Sequence, residues 1–495
     1  MILQTGLGKV YAEKKGENTL GEPVYSILSI PYAHGERFEY PKIIKKEEYP
    51  KKEIINRKET VCFPQKEYPL ILNKFLKHHM MRKEFLPIND LQTEDAFVVN
   101  IWTDDIAGEK PVLVFIHGGG EGSGTVPMYA MEHIAEQGIV AVSITYRVGN
   151  FGYMPIFDVD ETIADLAYHD QQTALRWIYD NIKFFGGDNT NITLMGHCGG
   201  AVAALYHFLN PVSNKLFHKL MLCAGNVPML TDCETAKEAY HKMMARNNFE
   251  SKIDLKKLSA KKVIKLKKAQ NDIVDGKFFL EAPSKLLERA EFPNMPVLIG
   301  SNKDEFSMIE LPIFYKSLGI TKKEHDLKKV LKEKYGEYAD ILAGEISPDA
   351  NGVVDLQIQI MELLIFHSSA LLLMEKLSKK CSVYGYRLNH VPNLYNGLRG
   401  SYHGAELAFF FGNLDKMNIK ISEENRKASL EIQKDWIEFI KTGKMKLRPK
   451  FNDCGEITEY DSAIRAISFP HEELIHKLKD SGIMEKTRKS YIEKR

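Results

Sequence analysis

The chain predicts an α/β protein: a central, mostly parallel twisted sheet with helices on both faces and helical cap insertions. Three observations predict it. Continuous apolar runs of strand length occur at 112–116 and 140–146, the pattern of strands buried on both faces. Segments of helical spacing alternate with such runs, as in sheets covered by helices. One short strand-like run, 192–195, passes through a glycine-rich turn straight into a helix-like run at 201–209.

Taken in order, the first third holds β-rich runs at 24–30 and 97–102, then those at 112–116 and 140–146, each bounded by Gly, Asp or Pro. After Asp170 the spacing turns helical through QQTALRWIYDNIKFF and meets a stop signal at Gly186-Gly187-Asp188. A strand at 192–195, a buried helix at 201–209 and a strand at 219–223 follow. The regions around 230–290 and 305–380 carry Lys, Glu and Leu at helical spacing and read as lid or cap insertions. Strands return at 296–300 and 383–388. A final amphipathic helix at 429–441 places Trp436, Phe439 and Ile440 on one face, which predicts packing on the sheet and no chemistry. No repeat, low-complexity tract or long linker marks a boundary, so 1–495 reads as one domain.

With 44% hydrophobic residues in 495, the chain has enough apolar side chains for a sizeable core. Lys+Arg 67 against Asp+Glu 66 leaves a charge of +1, so no global field favours nucleic acid or an anionic membrane. The basic run 261–268 reads as the solvated face of a surface helix with no partner. The opening residues, MILQTGLGKVYAEKK, hold no apolar stretch of secretory type. The most apolar later segment, 361–374, is interrupted by Glu362 and His367. The expectation is therefore a cytoplasmic chain with no membrane partner. Its six cysteines, at 62, 198, 223, 233, 381 and 454, show neither CxxC pairs nor metal-ligand spacing, which predicts reduced thiols and no metal. Oligomeric state is not fixed by these features.

The chemistry concentrates at Gly196-His197-Cys198-Gly199-Gly200, between the strand at 192–195 and the helix at 201–209. This is the context of a nucleophile elbow, a sharp turn that exposes one reactive side chain above a sheet. Small flanking residues avoid collision across the turn, and the helix amino terminus favours a thiolate at Cys198. Read alone, the same residues also fit a buried cysteine filling the core. Upstream, His117-Gly118-Gly119-Gly120 directly follows the strand at 112–116. Consecutive glycines let backbone N–H groups converge on a developing oxyanion, and losing one such donor costs about 100- to 1000-fold in rate. Gly119 and Gly120, with the N–H of Gly199, are the candidate donors; a plain turn is the other reading of this run.

Together with further short motifs, these residues resemble the type-B carboxylesterase and cholinesterase family, which has the α/β-hydrolase fold and includes neuroligin-like pseudo-enzymes. The motifs are Ile30-Pro31-Tyr32-Ala33, Glu94-Asp95 before Asn100-Ile101-Trp102, Tyr146-Arg147-Val148-Gly149, and Asp170-Gln171-Gln172 leading into Ala174-Leu175-Arg176-Trp177. Phe185-Gly186-Gly187-Asp188, Val274-Asp275-Gly276 and the Trp436 helix ending at Thr442-Gly443 extend the resemblance over nearly the whole length. The resemblance implies a triad in the order nucleophile, acid, histidine. Glu305, in Asn302-Lys303-Asp304-Glu305 after a late strand, is the implied acid. His403, in His403-Gly404-Ala405-Glu406 before Phe411-Gly412, is the implied base.

Several positions depart from the family. Cys198 stands where most relatives carry serine, and the sequence leaves open whether the thiol is native or a Ser→Cys substitution. His197 replaces the usual glutamate; facing the pocket, it would place beside the thiol an imidazole whose charge changes near neutral pH. Glu121 follows the glycine run in place of an aromatic residue, so a carboxylate near the pocket mouth would favour an amine or guanidine on the substrate; an exposed loop-end glutamate is the other reading. Cys223-Ala224-Gly225 replaces Gln-Ser-Gly, and with His197 this reads as two changes in one buried polar cluster. Cys62 matches a family disulfide cysteine, but its partner position is Ala96. The leading expectation is a cofactor-independent hydrolase of small-molecule carboxylic esters or thioesters working through an acyl-cysteine. The alternatives are an acyltransferase passing the acyl group to an amine or thiol and, in another class, an inactive neuroligin-like binding protein.

Overall fold

The computed structural model describes residues 1–66, 91–120, 122–124, 129–158, 161–225, 230–266, 272–307, 315–316, 318–390, 400–416 and 421–493. Eleven strands form one sheet: β1 (Glu13–Glu17), β2 (Pro23–Pro31), β3 (Val98–Thr103), β4 (Lys110–Ile116), β5 (Val140–Ile144), β6 (Gly187–His197), β7 (Lys219–Cys223), β8 (Val297–Asn302), β9 (Val383–Leu388), β10 (Glu456–Tyr460) and β11 (Ile464–Ser468). Their order across the sheet is β11-β10-β9-β8-β7-β6-β4-β5-β3-β2-β1. Every pair from β5 through β4 and β6 to β10 is parallel, and the outer pairs are antiparallel. This is the α/β-hydrolase fold expected from the sequence.

Alternation along the strands divides the core between two faces. On β4, Val112, Val114 and Ile116 join one apolar cluster, while Leu113 and Phe115 join the other. Helices α1 (Leu166–Asn181) and α2 (Gly199–Leu209) cover the first face with Leu175, Trp177, Ala203 and Leu205. The second face is covered by α6 (Glu423–Thr442), whose Ile432, Trp436, Phe439 and Ile440 are buried together. Between them in the chain lie α3 (Val353–Glu362), α4 (Ser368–Ser378) and α5 (Ala405–Phe410). A π-helical turn, Leu363–His367, joins α3 to α4. The run Val353–Ser378 is long and apolar enough to cross a membrane by length and composition, yet 89% of its most apolar stretch is buried inside the fold.

Three differences from expectation have physical reasons. Helix α1 starts at Leu166, ahead of Asp170, because Asp170 is no boundary residue: it is fully buried and paired with Arg147, Nη2 to Oδ1 at 2.6 Å. Strand β6 runs from Gly187, well before 192, because Gly187 pairs with Lys110 of β4 across a register shift, while β7 joins only from Thr193. Helix α6 is not the last element. β10, β11 and helices Glu472–Leu478 and Ile483–Glu493 follow it. Edge strand β11 has no fully buried residue, so it lacks the apolar run by which the central strands are recognised.

Candidate active site

Strand β6 and helix α2 meet at Cys198, whose φ of 56° and ψ of −123° hold it in a strained conformation. Its glycine neighbours are required by space. A Cβ on Gly196 would lie 2.0 Å from Gly200 O, and one on Gly200 would lie 2.2 Å from Ile116 O. The Cys198 N–H donates to Cys223 O at 2.9 Å, tying the turn to β7. Cys198 thereby caps α2, where free backbone N–H groups and the helix dipole favour negative charge.

The glycine loop after β4 reaches the same place. A Cβ on Gly199 would lie 2.9 Å from Gly120 O, so the loop packs directly on the start of α2. Gly119 and Gly120 have φ of 119° and 62°, values that a side chain would strain. Behind them the His117 ring stacks on Tyr146 with centroids 4.4 Å apart, and the Tyr146 hydroxyl donates to His117 O at 3.0 Å. Burial pushes the His117 pKa down to about 4, which makes it a neutral strut. Gln65 fastens the far side of the loop: its Nε2 donates to Gly124 O at 3.0 Å and its Oε1 accepts the Gly124 N–H at 2.9 Å. Glu121 lies outside the described residues.

His403 and Glu305, expected from separate motifs, are in contact. The His403 Nδ1–H donates to Glu305 Oε2 at 2.5 Å, and Glu305 Oε1 accepts the Asn302 N–H at 2.7 Å. Glu305 is 1% exposed. Burial opposes a charged His403, but the Cys198 and Glu305 charges beside it prevail and hold its pKa well above the usual imidazole range. With Nδ1 engaged by Glu305, Nε2 is the ring atom left for the thiol. Phe366, on the π-helical turn, walls the ring at a centroid distance of 5.2 Å.

His197 sits at the floor of this arrangement, 5% exposed, with its ring centroid 4.6 Å from that of His403. The expectation that its charge changes near neutral pH is corrected: burial first, and then the His403 charge, push its pKa well below 6.5, so it is neutral there. Nor do positions 197 and 224 share a polar cluster. The register pairs His197 with Cys223, and Ala224 turns into an apolar group with Phe306, Ile358 and Phe366.

Several residues of the site carried no role in the sequence. Asn302 links both carboxylates: its N–H bonds Glu305, and its side-chain amide donates to Glu406 and to Tyr402 O. His367 Nε2–H donates to Asn302 O at 3.1 Å, and Glu362 Oε1 accepts the Phe306 N–H at 2.7 Å. The visible signal for these was polar residues at 362 and 367 interrupting an otherwise apolar helix.

A sharp strand-to-helix turn over a parallel sheet, with a glycine loop packed against it, defines a protein of the α/β-hydrolase class. More narrowly, the chain belongs to the carboxylesterase family, whose model, described as "Carboxylesterase family", matches residues 1–480. It is similar to para-nitrobenzyl esterase of Bacillus subtilis, 29% identical over 71% of this chain and 75% of that protein. It is also similar to pyrethroid hydrolase Ces2a of Mus musculus, 30% identical over 71% of this chain and 68% of the relative. Acylcarnitine hydrolase of Mus musculus is 29% identical over the same shares, 71% and 68%. Membership of this family supports ester hydrolysis as the activity.

Proposed function

We propose that the chain hydrolyses small to medium carboxylic esters or thioesters through an acyl-cysteine intermediate, with Cys198 as nucleophile, His403 as base and acid, and Glu305 as the group that orients His403. The observation that carries this reading is the meeting of three separate segments: an elbow cysteine beside an imidazole whose Nδ1–H is 2.5 Å from a buried carboxylate. Cys198 and His403 rest as a thiolate–imidazolium pair. The sulfur attacks the acyl carbon, a C–S bond forms, and the carbonyl electron pair moves to oxygen, stabilised by the N–H groups of Gly119, Gly120 and Gly199. Collapse expels the alcohol or thiol, which takes the His403 proton. Water, deprotonated by His403, then attacks the thioester and releases the carboxylic acid and the thiolate. Glu305 keeps the proton of the ring on Nδ1 and supports the imidazolium throughout.

Intact-mass analysis after mixing with an activated short-chain ester tests the reading. A transient acyl mass, absent in Cys198→Ala and decaying to free acid, is expected. No adduct and no turnover across several chain lengths would sink it, and an adduct that decays only to an added amine or thiol would make the chain an acyltransferase.

A further inference from the structure

Among the buried polar atoms beneath the proposed triad that have no conventional hydrogen-bond partner are Nδ1 and Nε2 of His197 and Oε1 of Glu406. Two of them face each other, since His197 Nε2 is 3.5 Å from Glu406 Oε1. The imidazole is fixed by its neighbours. A Cβ on Gly118 would lie 3.0 Å from its Nδ1, and one on Gly404 would lie 3.4 Å from its Cε1. The other Glu406 oxygen is engaged by the Asn302 amide. Leaving a buried polar atom unpaired is costly, and a proton placed between Oε1 and Nε2 satisfies two of them at once.

We propose that His197 and Glu406 share one proton and act as a positioning pair, setting the pH range over which His403 stays cationic and Cys198 stays its thiolate partner. The inference rests on the proposed Cys198–His403–Glu305 chemistry. The groups facing the pair are Cys198 from the elbow, His403 from the loop before α5, Glu305 from the loop after β8, Cys223 from the end of β7 and Tyr386 from β9. Cys223 and Tyr386 are both pushed to high pKa, by burial first, and remain neutral.

Charge decides where the proton sits. Glu305 and Glu406 both act on His403 and on each other through charge, and both ionised together would repel. Burial first and the Glu305 charge second push Glu406 up to about 8, against His403 and the Asn302 amide. His197 is neutral, so the proton resides on Glu406 Oε1 and is donated to His197 Nε2. Once Glu406 ionises, a second anion lies beside His403 and holds the imidazolium to higher pH.

Alkylation of Cys198 by iodoacetate, an anion drawn to the imidazolium, reads loss of the His403 proton without turnover and is followed by mass spectrometry from pH 5 to pH 11. The parent protein should show a bell. In Glu406→Gln its alkaline limb should move down by about half a pH unit or more, because the second anion is gone. Glu406→Asp should restore it. His197→Gln should move the limb by at least about 0.3 unit, but should add nothing in a Glu406→Gln background. A limb unmoved in folded Glu406→Gln, or additive shifts in the double variant, overturns the pair. Should Glu406→Gln fail to fold, an unmoved limb in His197→Gln does the same. A Cys198 without any bell in the parent protein would instead refute the underlying thiolate–imidazolium reading.

Discussion

Two glutamates bear on the imidazole of His403, Glu305 by contact and Glu406 through charge, and they are not equivalent. Glu305 accepts at both oxygens, from His403 Nδ1–H and from the Asn302 backbone N–H. Glu406 accepts at one oxygen only, from the side chain of the same asparagine, and its Oε1 is left without a conventional partner. Asn302 thus gives one bond to each carboxylate, and His403 supplies the second bond to Glu305 alone. The difference teaches that burial alone does not assign a role. A carboxylate with both oxygens satisfied can orient a ring, whereas a half-satisfied one is where a proton is stored.

The largest expected effect breaks the comparison on the Glu305 side. Glu305→Gln keeps the shape but offers an amide where His403 needs an acceptor, so kcat for an activated ester should fall about 10⁴-fold with unchanged circular dichroism. Glu406→Gln should cost less than about tenfold at the pH optimum, since it touches the ring only through charge. Equal losses in the two variants would erase the distinction.

Asp170 extends the comparison away from the site. It resembles Glu305 in being fully satisfied: Oδ2 accepts the Arg147 N–H at 3.1 Å and Nε at 2.7 Å, and Oδ1 accepts Nη2 at 2.6 Å. It does no chemistry, so its removal should appear in stability. Asp170→Asn leaves the Arg147 guanidinium, 2% exposed, without its counter-charge, and unfolding in urea should show a loss of about 3–5 kcal/mol. A loss below about 1 kcal/mol would place the pair with surface ion pairs.

How much of this was legible in the sequence follows from what each feature requires. The central strands were legible because burial on both faces demands unbroken apolar runs. The elbow was legible because Gly196 and Gly200 have no room for a side chain. His403 and Glu305 came from motif resemblance, and their contact across 98 positions was not derivable from spacing. The half-bonded state of Glu406 was invisible, since it depends on where the Asn302 amide points. Asp170 misled for a related reason: a charged residue reads as a helix boundary until its buried partner is known.

A smaller effect tests the glycine loop after β4. Gly120→Ala leaves the two carboxylates in place but puts a side chain at φ 62°, in a loop packed on the start of α2. Displacing the loop should cost about 100- to 1000-fold in kcat, with little change in the pH limbs, because the proposed oxyanion donors carry no titrating charge. A shift of the alkaline limb in this variant would mean that the loop, and not Glu406, sets the ionisation of His403.

The smallest effect isolates the stored proton in stability itself. Glu406 is raised in the folded protein, from 4.5 to about 8, so between those values the folded state holds a proton that the unfolded chain releases. Stability then falls with rising pH across that window, because the folded state binds more protons than the unfolded one. A glutamine at 406 has no proton to lose, so the slope disappears in the variant. The apparent Tm of the parent minus that of Glu406→Gln should therefore be highest near pH 5 and decline towards pH 8, by about 1–2 °C or more. A difference that stays flat over this range would mean that Glu406 is ionised in the folded protein throughout, and the two glutamates would then be alike.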